Sequence, residues 1–344
     1  MKVYLHTGAG KTGTSAIQVA LAALRPQLAE AGILYPKGFA GTDDRSARGQ
    51  ISAGNGIALG WLINPATRRQ ESYDHAAALK WLDDCIAEAA GRDLLFSNES
   101  MQFAHRDETP LLYQRFHKAG YEIQIIHYVR HALDHAISSY LQNLKRGQIQ
   151  IRGMQDLETF LRESATCHYM RSLQNLARDL APGKVTVRLY DEERSALVPN
   201  FLRLMSTQSF PEVPTAAVIN RTPDPAEQVV FSTLAGMPDG PKLCRIAADL
   251  LLNRASSSRL THRVPAEVVD AYAKRNQPVV DFVNNTYFDG VEKLKIKSDS
   301  IVIGDITRPA PEDVYRVFGD FFALMVAEPR RRGGGGGGSR KRPK

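Results

Sequence analysis

The chain has 344 residues, of which 43% are hydrophobic, with 44 basic and 37 acidic residues. This length and composition allow a substantial core, which excludes wholesale disorder and fits one large α/β domain or two smaller ones. The sequence has no run of about 18 apolar residues, so no membrane span is predicted. The first residues, Met1 to His6, lack the apolar core of a signal peptide.

The three cysteines, Cys85, Cys167 and Cys244, lie far apart and show neither CxxC nor Cys/His ligand spacing. Such a pattern is typical of a reduced protein without a structural metal ion. We therefore expect a soluble, cytoplasmic protein with no bound metal.

The positive charge is confined to the C-terminus. Residues 330–344 contain five Arg, two Lys and no acid, which accounts for the whole net charge of +7 and leaves the rest of the chain neutral. Gly333 to Gly338, between the charges, has the composition of a flexible linker. We predict a single domain over 1–329 and a disordered basic tail over 330–344. The alternative is that the tail anchors the chain to nucleic acid or an anionic surface.

The first elements are predicted to be a strand, a loop and a helix. Lys2–Thr7 is rich in β-forming residues, and Gly8 to Thr14 is a glycine-rich turn. Apolar residues then recur at helical spacing from Ser15 to Glu30. The polar segment Lys37–Gly56 is predicted to be a long loop, and loops of that length are usually functional or mobile.

Strand-like and helix-like segments then alternate as far as about residue 205. The predicted strands are Asp93–Phe96, Tyr121–Val129 and Lys184–Tyr190, and the predicted helices include Ser72–Ala90, Pro110–Lys118, Ala132–Lys145 and Leu197–Met205. This alternation predicts an α/β fold of three layers with a mostly parallel central sheet. Beyond about Asn220 the chain is predicted to be almost wholly helical, as an additional C-terminal layer of the same domain.

The turn from Gly10 to Ser15 has the composition of an anion-binding loop. Glycine allows a ligand to approach the backbone, and the following helix start presents unpaired N–H groups. Lys11 adds a positive charge, and Thr12, Thr14 and Ser15 add hydroxyl groups. A Walker A motif would require glycine where Leu5 stands. The alternative is a glycine-rich turn with a solvated lysine.

A second pattern follows the predicted strand Tyr121–Val129. Arg130 stands at its end, and Ser138 follows eight positions later, about two helical turns. An arginine and a serine placed in this way can converge on one phosphate, because the guanidinium fork donates two parallel hydrogen bonds. The alternative is that the two residues are unrelated.

Taken together, these patterns resemble the nucleotide-binding motifs of sulfotransferases that use 3′-phosphoadenosine-5′-phosphosulfate (PAPS). Lys11 to Ser15 is similar to their 5′-phosphosulfate loop, and Arg130 with Ser138 is similar to their 3′-phosphate site. Further stretches resemble the bacterial branch of the family, with its carbohydrate type as one candidate: Ala31–Pro36, Ser139–Gln142, Val187–Tyr190 and Asn220–Pro223. The resemblance covers roughly residues 1–290 and implies a P-loop-like fold.

The resemblance also implies roles for individual residues. Lys11 is expected to stabilise the leaving group as the sulfuryl group departs. Gly10, Thr12, Gly13, Thr14 and Ser15 are expected to hold the 5′-phosphate together with Lys11. Arg130 and Ser138 are expected to hold the 3′-phosphate, and Tyr190 is a candidate for the adenine pocket.

The transfer also needs a base that takes the proton of the acceptor hydroxyl. Glu99, just after the strand Asp93–Phe96, is the first candidate, and His105 is the second. The alternative for Glu99 is a helix cap or a partner of an arginine. His6 is expected to be a strand-end residue packed near the nucleotide. His127, His131 and His135 are expected to be ordinary polar surface, and the alternative for His135 is that it lines the acceptor cleft.

The acceptor is expected to be a hydroxyl compound, with a saccharide or glycolipid favoured because Lys37–Gly56 contains Asp43, Asp44, Arg45 and Asn55. No metal is expected in the reaction, and nucleic acid is an unlikely partner. Two other functions stay open. One is a P-loop kinase that uses ATP and Mg²⁺, which would need a full Walker A loop. The other is a non-catalytic nucleotide-fold protein that binds anionic polymers through its tail.

Overall fold

The structure of the chain is a computed structural model that describes residues 1–50, 53–64, 74–148, 156–165, 167–181, 183–213, 222–252, 262–305 and 309–332. The chain divides into two compact units. The first comprises Met1–Ala136, Thr166–Ala217 and Ala273–Ser298, and the second comprises Ile137–Ala165, Val218–Tyr272 and Asp299–Lys344. The single domain over 1–329 stays a prediction.

The helices and strands are, in chain order, β1 (Lys2–His6), α1 (Thr14–Ala23), α2 (Arg25–Glu30), β2 (Ile33–Leu34), α3 (Asp44–Ala47), α4 (Ile57–Ile63), α5 (His75–Ala89), β3 (Asp93–Ser97), α6 (Thr109–Lys118), β4 (Glu122–Val129), α7 (Ala132–Lys145), α8 (Leu157–Thr159), α9 (Tyr169–Ala177), β5 (Val185–Leu189), α10 (Tyr190–Glu193), α11 (Leu197–Arg203), α12 (Pro225–Ala235), α13 (Gly240–Leu251), β6 (His262–Val264), α14 (Ala266–Tyr287), β7 (Ile301–Ile303) and α15 (Pro311–Arg332). Turns of 3₁₀ helix lie at Phe39–Gly41 and Glu99–Phe103, and a π-helical turn lies at Phe160–Ser164.

The first unit is built on a five-stranded sheet in the order β2-β3-β1-β4-β5. Every pair in it is parallel, and β1 at the centre pairs with β3 on one side and β4 on the other. The predicted α/β class with a mostly parallel central sheet is confirmed. Parallel strands all end at the same edge, so the loops after β1, β3 and β4 emerge next to one another, where α/β folds bind ligands.

Helices cover both faces of this sheet, as expected of parallel strands that read as continuous apolar runs. On one face, Leu5, Phe96 and Ile125 pack with Leu59 of α4, Leu82 of α5 and Phe116 of α6. On the other face, Tyr4, Leu95 and Tyr128 pack with Ile17 of α1, Leu28 of α2 and Phe201 of α11. Alternate residues of each strand therefore enter opposite cores, and the three layers are confirmed.

The single helix predicted over Ser15–Glu30 is two helices. α1 ends before Leu24, and α2 begins at Arg25 with Pro26 in its first turn. Proline has no N–H to continue the hydrogen bonds of a preceding helix, but it suits the first turn of a new one.

The predicted loop Lys37–Gly56 is more ordered than its composition indicates. Asp43 is buried, accepts a hydrogen bond from the Gly38 N–H at 2.8 Å and forms an ion pair with Arg25. Asn55 is also buried, and its amide group donates to the carbonyls of Pro36 and Leu95 at 3.1 and 3.0 Å. Two of the four polar residues assigned to an acceptor site therefore hold the loop itself in place.

The second unit contains α8, α12, α13 and α15, and α12 packs against both α13 and α15. A capping box starts α12, since Asp224 accepts from the Glu227 N–H and Glu227 accepts from the Asp224 N–H. The unit also contains the parallel pair β6–β7, in which His262, Arg263 and Val264 are opposite Ile301, Val302 and Ile303. The prediction of an almost wholly helical chain beyond Asn220 holds for α12 to α15, and the pair β6–β7 was not predicted, because three-residue strands are too short to show a hydrophobic period.

Of the predicted tail, Arg330 to Arg332 continue α15, and residues 333–344 lie outside the described residues. Asn220 and Arg221, in the stretch Asn220–Pro223, also lie outside them. Within the described part of the chain, none of the helices has both the length and the apolar character needed to cross a bilayer.

The three cysteines are buried and form no disulfide. Burial raises the pKa of the Cys85 and Cys167 thiols to about 12 and that of Cys244 to about 11.

Candidate active site

The loop after β1 continues the central sheet before it turns into α1. The Thr7 N–H donates to the Ile126 carbonyl at 3.0 Å, and the Ala9 N–H donates to the Tyr128 carbonyl at 2.8 Å. The Thr12 hydroxyl donates back to the Ala9 carbonyl at 2.5 Å, which closes the loop on itself. These hydrogen bonds fix the start of the loop at the end of the sheet where β1 and β4 finish.

Three residues of the loop have positive φ values, and the first of them is Gly8, with φ of 27°. Gly13, the N-cap of α1, has φ of 77°, and Lys11 has φ of 69°. A non-glycine residue held in this region costs about 1–3 kcal/mol, and such residues cluster at functional sites. The sequence did not reveal this strain at Lys11, because lysine is not a residue that favours the left-handed region.

Gly13 is required by its surroundings as well as by its backbone. A Cβ at this position would lie 2.3 Å from Leu197 Cδ2 and 2.9 Å from Tyr190 Cε2. No side chain caps α1 at Gly13. The first N–H groups of α1 therefore start the helix without the side-chain cap that would otherwise satisfy them, which is the arrangement of an anion-binding helix start.

Two buried polar atoms next to this loop have no hydrogen-bond partner: Thr14 Oγ1 and His6 Nε2. Both lie close to Gly8, where an added Cβ would be 3.3 Å from Thr14 Oγ1 and 3.5 Å from His6 Nε2. A buried polar atom without a partner costs about 1–3 kcal/mol. An oxygen-rich ligand bound in the loop could satisfy the Thr14 hydroxyl.

Glu99 stands beside the loop, at the end of the neighbouring strand. The Asn98 N–H donates to the His6 carbonyl at 3.0 Å, so the turn after β3 is joined to the end of β1. A Cβ at Gly10 would lie 3.9 Å from Glu99 Oε2. Because Glu99 is also exposed, its carboxylate is next to the loop and accessible from solvent.

Ser97 holds the turn that carries Glu99. Its N–H donates to Asn55 Oδ1 at 2.8 Å, and its carbonyl accepts from Gln18 Nε2 at 3.2 Å. Its hydroxyl pairs with His6 Nδ1 at 2.8 Å. Gly54 approaches so closely that a Cβ there would lie 2.3 Å from the Ser97 carbonyl oxygen. The backbone before Glu99 is thus fixed by bonds from three other segments of the chain.

His105 is placed differently. Its side chain is exposed, and Nδ1 lies 3.7 Å from Asp107 Oδ2. Its backbone N–H donates to the Ile63 carbonyl at 2.8 Å. None of these contacts joins His105 to the loop, whereas Glu99 is next to Gly10.

Arg130 follows β4, and its guanidinium group lies close to two aspartate carboxylates. Its guanidinium Nε lies 3.5 Å from Asp191 Oδ1, and Nη2 lies 3.8 Å from Asp134 Oδ2. Asp191 in turn accepts a hydrogen bond from the His131 N–H at 2.9 Å. The Arg130 side chain is 20% exposed, so it is partly desolvated yet accessible to an incoming anion.

The Tyr190 ring lies close both to Arg130 and to the loop after β1. The centre of its ring is 5.6 Å from the Arg130 guanidinium carbon, within the range of a cation–π contact. Its Cε2 is the atom that a Cβ at Gly13 would meet at 2.9 Å. One aromatic side chain therefore contacts both motifs that the sequence singled out, and these motifs lie at the same edge of the sheet.

Ser138 is partly buried in α7. The boundary between the two units falls within this helix, with Arg130 in the first unit and Ser138 in the second. The convergence of Arg130 and Ser138 on one phosphate therefore stays a prediction. Ser15, in the first turn of α1, is also partly buried.

Two of the three histidines assigned to the polar surface are not there, and the third, His135, is partly buried. His127 and His131 are buried, and burial lowers the pKa of His127 to about 3. The pKa of His6 is also lowered to about 3, first by burial and then by the nearby His127, and that of His135 to about 4 by burial and Arg130. The placement of His127 was wrong because the second half of β4 is buried on both faces of the sheet, so this position has no solvent face.

Within the described residues, no group of three or more His, Cys, Asp or Glu side chains could hold a metal ion.

The chain is similar to a sulfotransferase of known structure. That protein, from Alicyclobacillus acidocaldarius, shares 17% sequence identity with this chain at a TM-score of 0.36, over 75% of this chain and 98% of its own. No protein-family profile matches the chain, and no curated protein sequence matches it.

Proposed function

We propose that this protein is a sulfotransferase that moves a sulfuryl group from PAPS to a hydroxyl-bearing acceptor. The observation that supports it most is the position of Tyr190, in contact with Arg130 and against Gly13. This arrangement supports a single ligand that is held by the loop at one side and by Arg130 at the other. PAPS, with a 5′-phosphosulfate and a 3′-phosphate on one ribose, is such a ligand.

The loop would hold the 5′-phosphosulfate. The uncapped start of α1 offers N–H groups from Gly13 onwards, and the unpartnered Thr14 hydroxyl is a ready donor to a phosphate oxygen. Thr12 holds the loop through its bond to Ala9, so its part in binding would come from its backbone N–H. Gly10, Lys11 and Ser15 complete the loop.

Arg130 would hold the 3′-phosphate, with Ser138 as its proposed partner. Two aspartates, Asp134 and Asp191, lie within 4 Å of its guanidinium group and keep it oriented. Since a guanidinium group donates in a planar fork, it can exchange part of these contacts for a phosphate without losing its position. Tyr190, beside it, is proposed to contact the adenosine.

The chemical step is an in-line displacement at sulfur. The acceptor oxygen forms a bond to sulfur as the bond from sulfur to the bridging oxygen breaks, and adenosine 3′,5′-bisphosphate leaves with the bonding electron pair. Lys11 neutralises the charge that develops on the leaving oxygen. Glu99 takes the proton of the acceptor hydroxyl, which typically contributes about 10²–10⁴-fold. His105 is the second candidate for this base.

The acceptor is proposed to be a saccharide or glycolipid hydroxyl. Asp44 and Arg45, in the short helix α3, are exposed polar residues that suit such a ligand, whereas Asp43 and Asn55 bind other groups of the protein.

The assignment is tested with sulfur-labelled PAPS and a panel of glycan, glycolipid and phenolic acceptors. We expect labelled product with at least one glycan acceptor, no requirement for Mg²⁺, and protection of the protein against thermal unfolding by adenosine 3′,5′-bisphosphate. Protection by ATP only when Mg²⁺ is present would indicate a kinase. Absence of both product and protection would overturn the proposal.

A further inference from the structure

The C-terminal helix α15 has an apolar face that is exposed to solvent. Tyr315 is 74% exposed, Phe322 is 57% exposed and Val326 is 70% exposed. These residues follow one another at intervals of seven and four, so they lie on the same side of a helix. Within that side the Phe322 ring stacks on Phe318, with ring centres 6.4 Å apart. We call Tyr315, Gly319, Phe322 and Val326 the apolar stripe.

The stripe is not the face by which α15 is held in the second unit. Val317 and Phe321 are buried, and the helix packs against α12 and α13. At about 100° per residue, Phe321 lies about 130° from the centre of the stripe. The helix thus has one apolar face for its own fold and a second one that the fold does not use.

Charges are distributed unevenly around and after the stripe. The acids of α15 are Glu312, Asp313, Asp320 and Glu328. On the helical wheel, Glu312 lies at the edge of the stripe, and Asp313 and Asp320 lie more than about 120° from its centre. Arg330 follows Val326 by about one turn and begins the segment 330–344, which contains the whole net charge of +7.

We infer that α15 and the basic segment after it dock on an anionic lipid surface. Aromatic and aliphatic side chains on one helix face insert at the boundary between headgroups and acyl chains, and clustered Lys and Arg are attracted to anionic headgroups. Either signal alone binds weakly, and the two together give stable attachment. This inference is independent of the proposed function.

Two other occupants fit the charges and the stripe less well. A second copy of the chain would cover the stripe, but it would give no role to the seven positive charges of residues 330–344. Nucleic acid would be bound by the basic segment, but it gives no role to an exposed face of Tyr, Phe and Val. Only a lipid surface uses both features.

Vesicle co-sedimentation of the full chain tests the inference. We expect binding to vesicles of phosphatidylcholine with about one-third phosphatidylglycerol, and weak binding to phosphatidylcholine alone. The double variant Phe322→Ser/Val326→Ser should reduce the partition coefficient by at least about tenfold. Replacing Arg340, Lys341, Arg342 and Lys344 with Gln should reduce it by about a hundredfold at low salt and less at high salt.

The matched control is Leu111→Ser, which removes an apolar side chain that is 59% exposed on α6 and should leave vesicle binding unchanged. Thermal melts establish that each variant is folded. The inference fails if the full chain does not bind the anionic vesicles. It also fails if the stripe variant binds as the wild type does while RNA displaces the protein, or if the wild type is a dimer that the stripe variant dissociates.

Discussion

The two ends of the proposed nucleotide site are built in different ways. At the end formed by the loop after β1, the backbone provides the structure: Gly13 and Lys11 take left-handed conformations, and no space remains for a side chain at Gly13. At the end formed by Arg130, side chains provide the structure, because Asp134 and Asp191 hold the Arg130 guanidinium group beside Tyr190. The loop should therefore be sensitive to changes of shape, and the Arg130 end to changes of charge.

The largest effect is expected from Gly13→Ala. The added methyl group would overlap Leu197 and Tyr190, and the positive φ would be strained. We expect the affinity for adenosine 3′,5′-bisphosphate to fall by at least about a hundredfold, with a lower melting temperature. Calorimetry and thermal melts measure both quantities.

Gly91→Ala is the matched control for this change. Gly91 also has a positive φ, of 89°, but a Cβ there would meet no atom within 4 Å. It should show the cost of backbone strain without any loss of nucleotide affinity. Equal losses in the two variants would mean that the loop is not shaped by Tyr190 and Leu197.

The next effect is a lower kcat when the proposed base is replaced. Glu99→Gln should lower kcat about 10²–10⁴-fold while leaving the affinity for adenosine 3′,5′-bisphosphate unchanged, because the amide cannot take the acceptor proton. Initial rates with labelled PAPS measure it. His105→Gln is the comparison: if it loses the greater part of kcat and Glu99→Gln does not, the base is His105.

Lys11→Ala should lower kcat about 10²–10³-fold through the loss of charge stabilisation in the transition state. Lys118→Ala, which removes an exposed lysine at the end of α6, should have no effect on the rate. A variant at Lys11 that keeps wild-type kcat and loses only donor affinity would assign this lysine to binding alone.

The Arg130 end is tested by comparing two ligands. Arg130→Gln should weaken binding of adenosine 3′,5′-bisphosphate by about tenfold to a hundredfold, which is the contribution of hydrogen bonds to a charged group. Binding of adenosine 5′-monophosphate, which has no 3′-phosphate, should change little. Equal losses for both ligands would show that Arg130 does not bind the 3′-phosphate.

The smallest effect concerns the histidines next to the two ends. His6 and His127 have a folded-state pKa lowered to about 3. Between about pH 6.5 and pH 3 the unfolded chain therefore binds protons that the folded chain excludes, so stability falls as the pH falls. From pH 7 to pH 5.5, each histidine should contribute a loss of about 1 kcal/mol in the free energy of unfolding.

Urea titrations at the two pH values measure this loss. His127→Asn should reduce the difference between them by about 1 kcal/mol, while His117→Asn, at an exposed position, should not. An unchanged difference in the His127 variant would show that this ring is not neutral in the folded protein.

The sequence was sufficient for the elements that its patterns define over many residues. The strands β1, β3, β4 and β5, their alternation with helices, and the loop that contains Lys11 could all be predicted, because apolar periods and glycine-rich turns are local signals. The break at Pro26 and the short strands β6 and β7 were missed. Pro26 stands inside a longer helical period, and three residues do not define any period.

The site was predictable as a set of residue types but not as an arrangement. Nothing local in the sequence indicates that Tyr190 lies against Gly13, since 177 positions separate them and only the β1–β4–β5 pairing brings them together. The same holds for the burial of His127, which depends on the helices that cover the sheet, whereas the packed position of His6 was expected. Asp43 and Asn55 look like ligand groups by composition, and only the fold shows that their partners are backbone atoms and Arg25.

Because all three cysteines are buried, the rate at which their thiols are alkylated reports local opening of the protein. A thiol reacts with alkylating reagents only as an exposed thiolate, and burial both shields these sulfur atoms and raises their pKa. Alkylation at neutral pH therefore has to wait for opening of the structure around Cys85, Cys167 or Cys244. Its rate at each position reports how often that part of the protein opens, without any label being introduced.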